Sequence, residues 1–243
     1  MAFLRMDFKS EVLNSGTSVN IILPERRDPD KPLPVMYLLH GYTDDESAWC
    51  RQTSVERYAR YRNTAIVMPN AYNSFYTDMK NGVYNCYSYI TEELVPFCRE
   101  SFNLSPRRED TFVAGLSMGG YGAFKLALLK PEMFSAAASF SGAMDMERIA
   151  NDRDMTMVFD SPVKGSVNDL FHLAENIGAV KPRLYQWCGT EDFLYADNVK
   201  FRDFMQKLDF DYTYKEGSGD HDWKCWDDQV RKVFAFMGIE NLK

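Results

Sequence analysis

A serine between two glycines, reached by an apolar run and followed by a helical pattern, is the sharpest chemical signal in this chain: Thr111-Phe-Val-Ala-Gly115-Leu-Ser117-Met-Gly119-Gly120-Tyr-Gly-Ala-Phe124. Gly-x-Ser-x-Gly between a strand and a helix predicts a tight, strained turn that lifts the serine hydroxyl above a sheet. Gly115 and Gly119 relieve the crowding that a Cβ would cause there. The Met118 backbone N–H then stands at a helix N-terminus, where it can donate to a developing oxyanion. Two other readings compete. Gly115 to Gly120 has the spacing that opens a phosphate-binding loop, but Tyr121 and Gly122 occupy the positions where that loop needs Lys and then Ser or Thr. A merely structural turn is the second.

A serine hydroxyl is a weak nucleophile until a base takes its proton. On an elbow of this kind the partners follow in the order Ser, Asp, His. Of the three histidines, His40 comes too early, and His172 lies in a candidate helix where a surface or packing role suits it. His221, in Gly217-Ser-Gly-Asp-His221-Asp-Trp, lies on a flexible loop between the last strand and the final helix and is the expected base. The acid should follow a late strand. Leu184-Tyr-Gln-Trp-Cys188-Gly-Thr-Glu-Asp192 fits, with Asp192 on the loop beyond Gly189, placed to hold the imidazole tautomer and stabilise the imidazolium. Glu191 is the nearest rival; Asp197, Asp220 and Asp222 are weaker.

A second oxyanion donor must come from another backbone N–H near the elbow. The strand end Leu38-Leu39-His40-Gly41-Tyr42 offers the Tyr42 N–H, with Gly41 letting the backbone turn inward. The alternative is that His40 and Gly41 only close a strand. Around these loops Tyr42, Trp49, Tyr76 and Trp223 are candidates to wall an acyl or sugar site together with Gly41, although aromatic residues are also ordinary core material. Met144, Met146, Met155 and Met157 suggest an adaptable apolar wall, against a plain packing role.

The elements that must carry these residues alternate. Strand-like runs at 19–23, 35–39, 64–68, 111–114, 136–140, 184–188 and 212–214 are separated by helical patterns at 84–101, 120–129, 198–208 and 223–236. Alternation of this kind predicts a mainly parallel sheet covered on both faces. Runs at 4–12 and 17–23, joined by a turn at 14–16, suit an antiparallel hairpin at the sheet edge. Residues 25–34, with Pro24 before them and Pro29, Pro32 and Pro34 among them, read as a connection between strands. The segment 143–181 breaks the alternation and holds one helix candidate, 167–177; it is either a lid over the site or an ordinary surface connection.

The 243 residues suffice for one α/β domain and are too few for two of full size. A net charge of −7 argues against nucleic acid or an anionic membrane as the main partner. Residues 1–10 mix Arg5, Asp7 and Lys9 with isolated apolar residues, unlike a signal peptide, and no run approaches the roughly 18 apolar residues of a membrane span. Five cysteines without a Cys-x-x-Cys pair suit reduced thiols in the cytoplasm better than a metal site or a disulfide framework.

Taken jointly, Leu38-Leu-His-Gly41, Val67-Met-Pro-Asn70, Tyr76-Thr-Asp78, Ala114-Gly-Leu-Ser-Met-Gly-Gly-Tyr-Gly-Ala-Phe-Lys-Leu-Ala127, Ala138-Ser-Phe-Ser-Gly142, Trp187-Cys-Gly-Thr-Glu-Asp-Phe-Leu-Tyr195 and Gly219-Asp-His221-Asp-Trp223 resemble the tributyrin esterase group, close to esterase D and the S-formylglutathione hydrolases. The resemblance covers nearly the whole chain. It implies an α/β-hydrolase fold: one domain over 1–243, with about eight mostly parallel strands, helices on both faces and a small lid insertion at about 143–181. It further implies a serine esterase without cofactor or metal that favours acetyl to butyryl esters. Acetylated or feruloylated glycans are among the substrates of relatives, and members are often oligomeric, which allows a homo-oligomer. The expected partner is a small-molecule or oligosaccharide ester, not nucleic acid or membrane. An S-formylglutathione-type thioesterase and a non-catalytic hydrolase-fold binding protein remain as alternative readings.

Overall fold

The computed structural model describes residues 1–28, 30–152 and 155–239; Pro29 of the proline-rich connection and Arg153 and Asp154 of the insertion lie outside them. In chain order the elements are β1 (Ala2–Ser10), β2 (Ser15–Leu23), β3 (Val35–Leu39), α1 (Ala48–Gln52), α2 (Val55–Ala59), β4 (Ala65–Pro69), α3 (Cys86–Ser88) and α4 (Val95–Phe102). They continue as β5 (Thr111–Leu116), α5 (Met118–Leu129), β6 (Ala136–Phe140), α6 (Met146–Asp152), α7 (Leu170–Glu175), β7 (Arg183–Gly189), α8 (Tyr195–Met205), β8 (Tyr212–Gly217) and α9 (Trp223–Phe236).

The strands form one eight-stranded sheet in the order β1-β2-β4-β3-β5-β6-β7-β8. β1 and β2 form the expected antiparallel hairpin, and β2 also runs antiparallel to β4; all other pairs are parallel. This is the α/β-hydrolase arrangement. The apolar run of β3 is buried throughout because successive side chains enter two different cores: Val35, Tyr37 and Leu39 face one, Met36 and Leu38 the other. Helix α5 and residues of α7 and α8 fill the first layer, and α1, α2 and α9 the second.

Helix α9 spans the predicted residues, with Asp222 as its cap accepting from the Lys224 N–H at 2.7 Å. The pattern at 84–101 is not one continuous α-helix. A π-helical stretch, Tyr89–Leu94, separates α3 from α4, and Pro96 in the first turn of α4 lacks the N–H that would continue an α-helical ladder. Helices α1, α2 and α6, of five, five and seven residues, are too short for an apolar period to reveal them. Helix α7 is shorter than the pattern at 167–177. Asp169 starts it by accepting from the Phe171 N–H at 3.0 Å. Among the described residues no helix is long and apolar enough to cross a membrane.

The insertion between β6 and β7 is fastened to the body at several places, two of them through buried or paired charges. Arg148 of α6 makes a two-pronged ion pair with Asp197 of α8. Lys125, on α5 and fully buried, donates to Thr77 and, at 2.6 Å, to Asn168 Oδ1, while Tyr121 donates to the Asn168 carbonyl at 2.9 Å. Burial pushes the Lys125 amine down to about 7 from 10.5. Between those two values the unfolded chain binds the proton that the folded protein does not, so this group makes stability rise with pH across that window. Replacing Lys125 by Met removes the effect. Thermal melts of wild type and Lys125→Met should therefore differ by an amount that moves in favour of wild type from pH 7 to 10, by about 1 kcal/mol or more. A difference constant over that range would contradict it.

Candidate active site

β5 is buried along its whole length and delivers Ser117 to the C-terminal edge of the sheet, where α5 begins at Met118. Ser117 has φ 51° and ψ −117°, a conformation that costs a non-glycine residue about 1–3 kcal/mol. It is held there by neighbours. Its N–H donates to the Phe140 carbonyl at 2.9 Å, and its own carbonyl accepts from Tyr121 at 3.1 Å and Ala143 at 3.2 Å. The two flanking glycines are obligatory: a Cβ on Gly115 would fall 2.3 Å from the Gly119 carbonyl oxygen, and one on Gly119 2.5 Å from that of Leu39.

The loops after β7 and β8 bring Asp192 and His221 to the serine. His221 Nε2 lies 3.0 Å from Ser117 Oγ, and Nδ1 lies 2.8 and 3.0 Å from the two Asp192 oxygens. The Asp192 carboxylate is inaccessible to solvent and also accepts the Leu194 N–H at 2.8 Å, which fixes its plane. An acceptor below the ring keeps a proton on Nδ1 and leaves Nε2 to accept from the serine hydroxyl. The imidazole is held by Phe193, with ring centroids 4.5 Å apart, and edge-on by Trp226 at 4.9 Å. The rival acids are engaged elsewhere. Glu191 accepts from Thr190 at 2.9 Å and from the Gly219 N–H, which holds its carboxyl below its usual range. Asp197 pairs with Arg148, Asp220 accepts the His221 N–H at 2.7 Å, and Asp222 caps α9.

Met118 occupies the first position of α5, where a backbone N–H has no carbonyl to bond within its own helix. The Tyr42 N–H is oriented indirectly. His40 is buried; its Nε2 accepts from the Ala71 N–H at 2.9 Å, so its proton resides on Nδ1, which donates to the Gly41 carbonyl at 2.8 Å. Desolvation lowers this imidazole to about 4, which keeps it neutral near pH 7. A pinned Gly41 carbonyl sends the Tyr42 N–H, across the same peptide plane, to the opposite side. Gly41 admits this path because a Cβ there would meet Leu116 at 2.6 Å. The role of His40 follows from its two ring contacts; in the sequence, the only cue was its place before a glycine at a strand end.

Ser117, Met118, His221 and Tyr42 line one cleft of about 410 Å³ with Phe75, Ala143, Arg148, Ile149, Phe193 and Leu194. Trp49 and Tyr76 do not reach it, contrary to their expected substrate contacts. Trp49 is buried, donates to the Leu39 carbonyl at 3.0 Å and meets Trp223 edge-on; Tyr76 is buried and donates to the His40 carbonyl at 2.9 Å. Both support the loop from beneath. Trp223 is half-buried and packs on Trp49 and Trp226, and Gly41 too lies outside the cleft lining. Met144, Met146 and Met155 are core residues and Met157 is exposed; none of the four lines the cleft. His172, on α7, bonds Asn176 at 3.1 Å. The insertion contributes Ala143, Arg148 and Ile149, which no motif marked. The constellation places a ring nitrogen where it can take a proton from Ser117.

The chain matches the sequence profile of the Esterase family over residues 10–237. It is 32% identical to an acetyl esterase of Caldicellulosiruptor saccharolyticus, with 98% of each chain covered. Among solved structures it is similar to the fluorophosphonate-binding serine hydrolase FphF of Staphylococcus aureus, in a substrate-bound state (33% identity, TM-score 0.90, 98% of this chain and 99% of that one). It is also similar to the S-formylglutathione hydrolase FrmB of Staphylococcus aureus (33% identity, TM-score 0.86, 97% and 98%).

Proposed function

Because the chain belongs to the Esterase family and is a carboxylic ester hydrolase, we propose that it cleaves short-chain acyl esters through Ser117, His221 and Asp192. The unbroken hydrogen-bond chain from Asp192 through His221 to Ser117, at one wall of the cleft, carries this reading. His221 takes the serine proton as Oγ attacks the ester carbonyl. The resulting oxyanion is met by the N–H groups of Tyr42 and Met118. Collapse breaks the bond to the alcohol oxygen, which receives its proton from His221 and leaves the acyl group on Ser117. Water then gives its proton to His221, attacks the acyl-enzyme, and the acid departs as Ser117 is reprotonated.

The preferred acyl groups in this reading run from acetyl to butyryl, supported by the acetyl esterase relative. Acetylated or feruloylated glycans are the proposed natural class. The free thiols of Cys50, Cys86, Cys98, Cys188 and Cys225 support a reducing compartment, the cytoplasm. A homo-oligomer is included in the proposal. A second reading, hydrolysis of an S-formylglutathione-type thioester by the same residues, is favoured by the likeness to FrmB. Hydrolysis of p-nitrophenyl acetate, butyrate and octanoate, with S-formylglutathione in parallel, separates them. The expected kcat/KM is highest for acetate and butyrate and falls roughly tenfold or more by octanoate, the cost of a methylene misfit being about 1–3 kcal/mol. Flat activity along the series would sink the short-chain assignment; dominant thioester turnover would install the second reading.

A further inference from the structure

Phe193 is 65% exposed, yet it lines the cleft and leans on the catalytic imidazole with its ring tilted by 49°. Its backbone is anchored on both sides. The Leu194 N–H donates to Asp192 Oδ1 at 2.8 Å, and the Tyr195 N–H donates to the Asp192 carbonyl at 2.9 Å. A phenyl ring left this open to water gains little from the fold itself, whereas covering it with a ligand recovers its apolar area.

Its side of the site is set by the proton path. Departure of the alcohol requires a proton from His221 Nε2, so the leaving oxygen must come within hydrogen-bond reach of that nitrogen. The carbonyl oxygen points instead toward the N–H groups of Tyr42 and Met118. The group attached to the leaving oxygen therefore extends past the imidazole, and the face waiting beside the imidazole is Phe193. Tyr42, the other exposed aromatic of the cleft, packs on Phe75 at 5.7 Å and belongs to the oxyanion side.

We propose that Phe193 is the platform for the leaving group, and that the enzyme selects esters whose alcohol has a flat, weakly polar face, as an aryl ring or the C–H face of a pyranose has. This rests on the assignment of His221 as the acid that protonates the leaving group. Phe193 thereby becomes a specificity residue for the alcohol half of the ester and not for the acyl half.

The experiment holds the acyl group constant. Ethyl acetate, phenyl acetate and an O-acetylated methyl xyloside are compared in wild type, Phe193→Leu and Phe193→Trp, with hydrolysis of the common acetyl-enzyme followed after the burst. In Phe193→Leu, kcat/KM for the phenyl or xyloside ester should fall roughly three- to tenfold, as expected for loss of a stacked ring. Ethyl acetate and acetyl-enzyme hydrolysis report what the ring does for the imidazole it rests on, and any loss on them should be at least roughly threefold smaller than on the phenyl or xyloside ester, since neither involves a flat leaving group. Phe193→Trp should restore the preference. A loss confined to phenyl acetate identifies an aryl alcohol, and one confined to the xyloside identifies a sugar. Equal losses on all three esters together with slower acetyl-enzyme hydrolysis would show that Phe193 only props His221, and would overturn the proposal. If wild type hydrolyses none of the three, the ester reading falls and the platform with it, and Ser117 and His221 are left to the thioester reading.

Discussion

Ser117→Ala is expected to lower kcat on p-nitrophenyl acetate by roughly 10⁵–10⁶-fold, close to the effect of removing a whole triad, because the members act as one unit. Among the described residues Ser117 Oγ bonds His221 Nε2, at 3.0 Å, so the substitution takes away a nucleophile and little else. The backbone at φ 51° is as strained for alanine as for serine, and the bonds to Phe140 and from Tyr121 and Ala143 involve backbone atoms alone. The melting temperature should therefore move by only a few degrees, as for a change of about 1 kcal/mol or less. Mass spectrometry after a fluorophosphonate probe gives a second readout: wild type gains one adduct on Ser117 and the variant none. Activity that survives the substitution, or an adduct on another residue, would assign the nucleophile elsewhere.

Asp192→Asn is the second large effect, with an expected loss of roughly 10⁴-fold in kcat. The amide oxygen can still accept from the Leu194 N–H, now 2.8 Å from Asp192 Oδ1, so the loop need not move. The amide NH₂ then faces His221 Nδ1 and favours the tautomer with its proton on Nε2, the nitrogen that must receive the serine proton. The carboxylate charge that would stabilise the imidazolium is lost as well. Glu191→Gln is the matched control. Glu191 spends its carboxylate on Thr190 and the Gly219 N–H, so a change of about threefold or less is expected. If Glu191→Gln cost more than Asp192→Asn, the acid would have been assigned to the wrong residue.

What was legible in the sequence was local or ordered. The elbow can be read because sterics at Gly115 and Gly119 write themselves into residue type at fixed spacing. Asp192 and His221 can be read because each follows a recognisable strand end, and α9 because its apolar period is present; that Asp222 caps it is seen in the structure alone. Residues whose role depends on direction were not legible. Trp49 and Tyr76 are near the site in sequence and space, but their rings point beneath the loop and not into the cleft. Arg148 and Ile149 sit on a seven-residue helix without a detectable period, and Phe193 differs from a core phenylalanine only in its exposure. The break at Tyr89–Leu94 is a backbone event that hydrophobic periodicity does not register.

The order in which the sheet is laid down has a consequence for biosynthesis. The elbow and the two proposed N–H donors come from the ends of β3 and β5, whereas Asp192 and His221 follow β7 and β8, the strands that complete one edge of the sheet. A nascent chain that has emerged from the ribosome only as far as β6 holds its serine without anything to activate it. Since a domain generally folds as a unit, hydrolytic competence under the proposed mechanism should appear late and abruptly, once the whole sheet and the loop carrying His221 have emerged. Timed against translation, the first burst of p-nitrophenol from a stalled-chain series would mark the moment at which that edge closes.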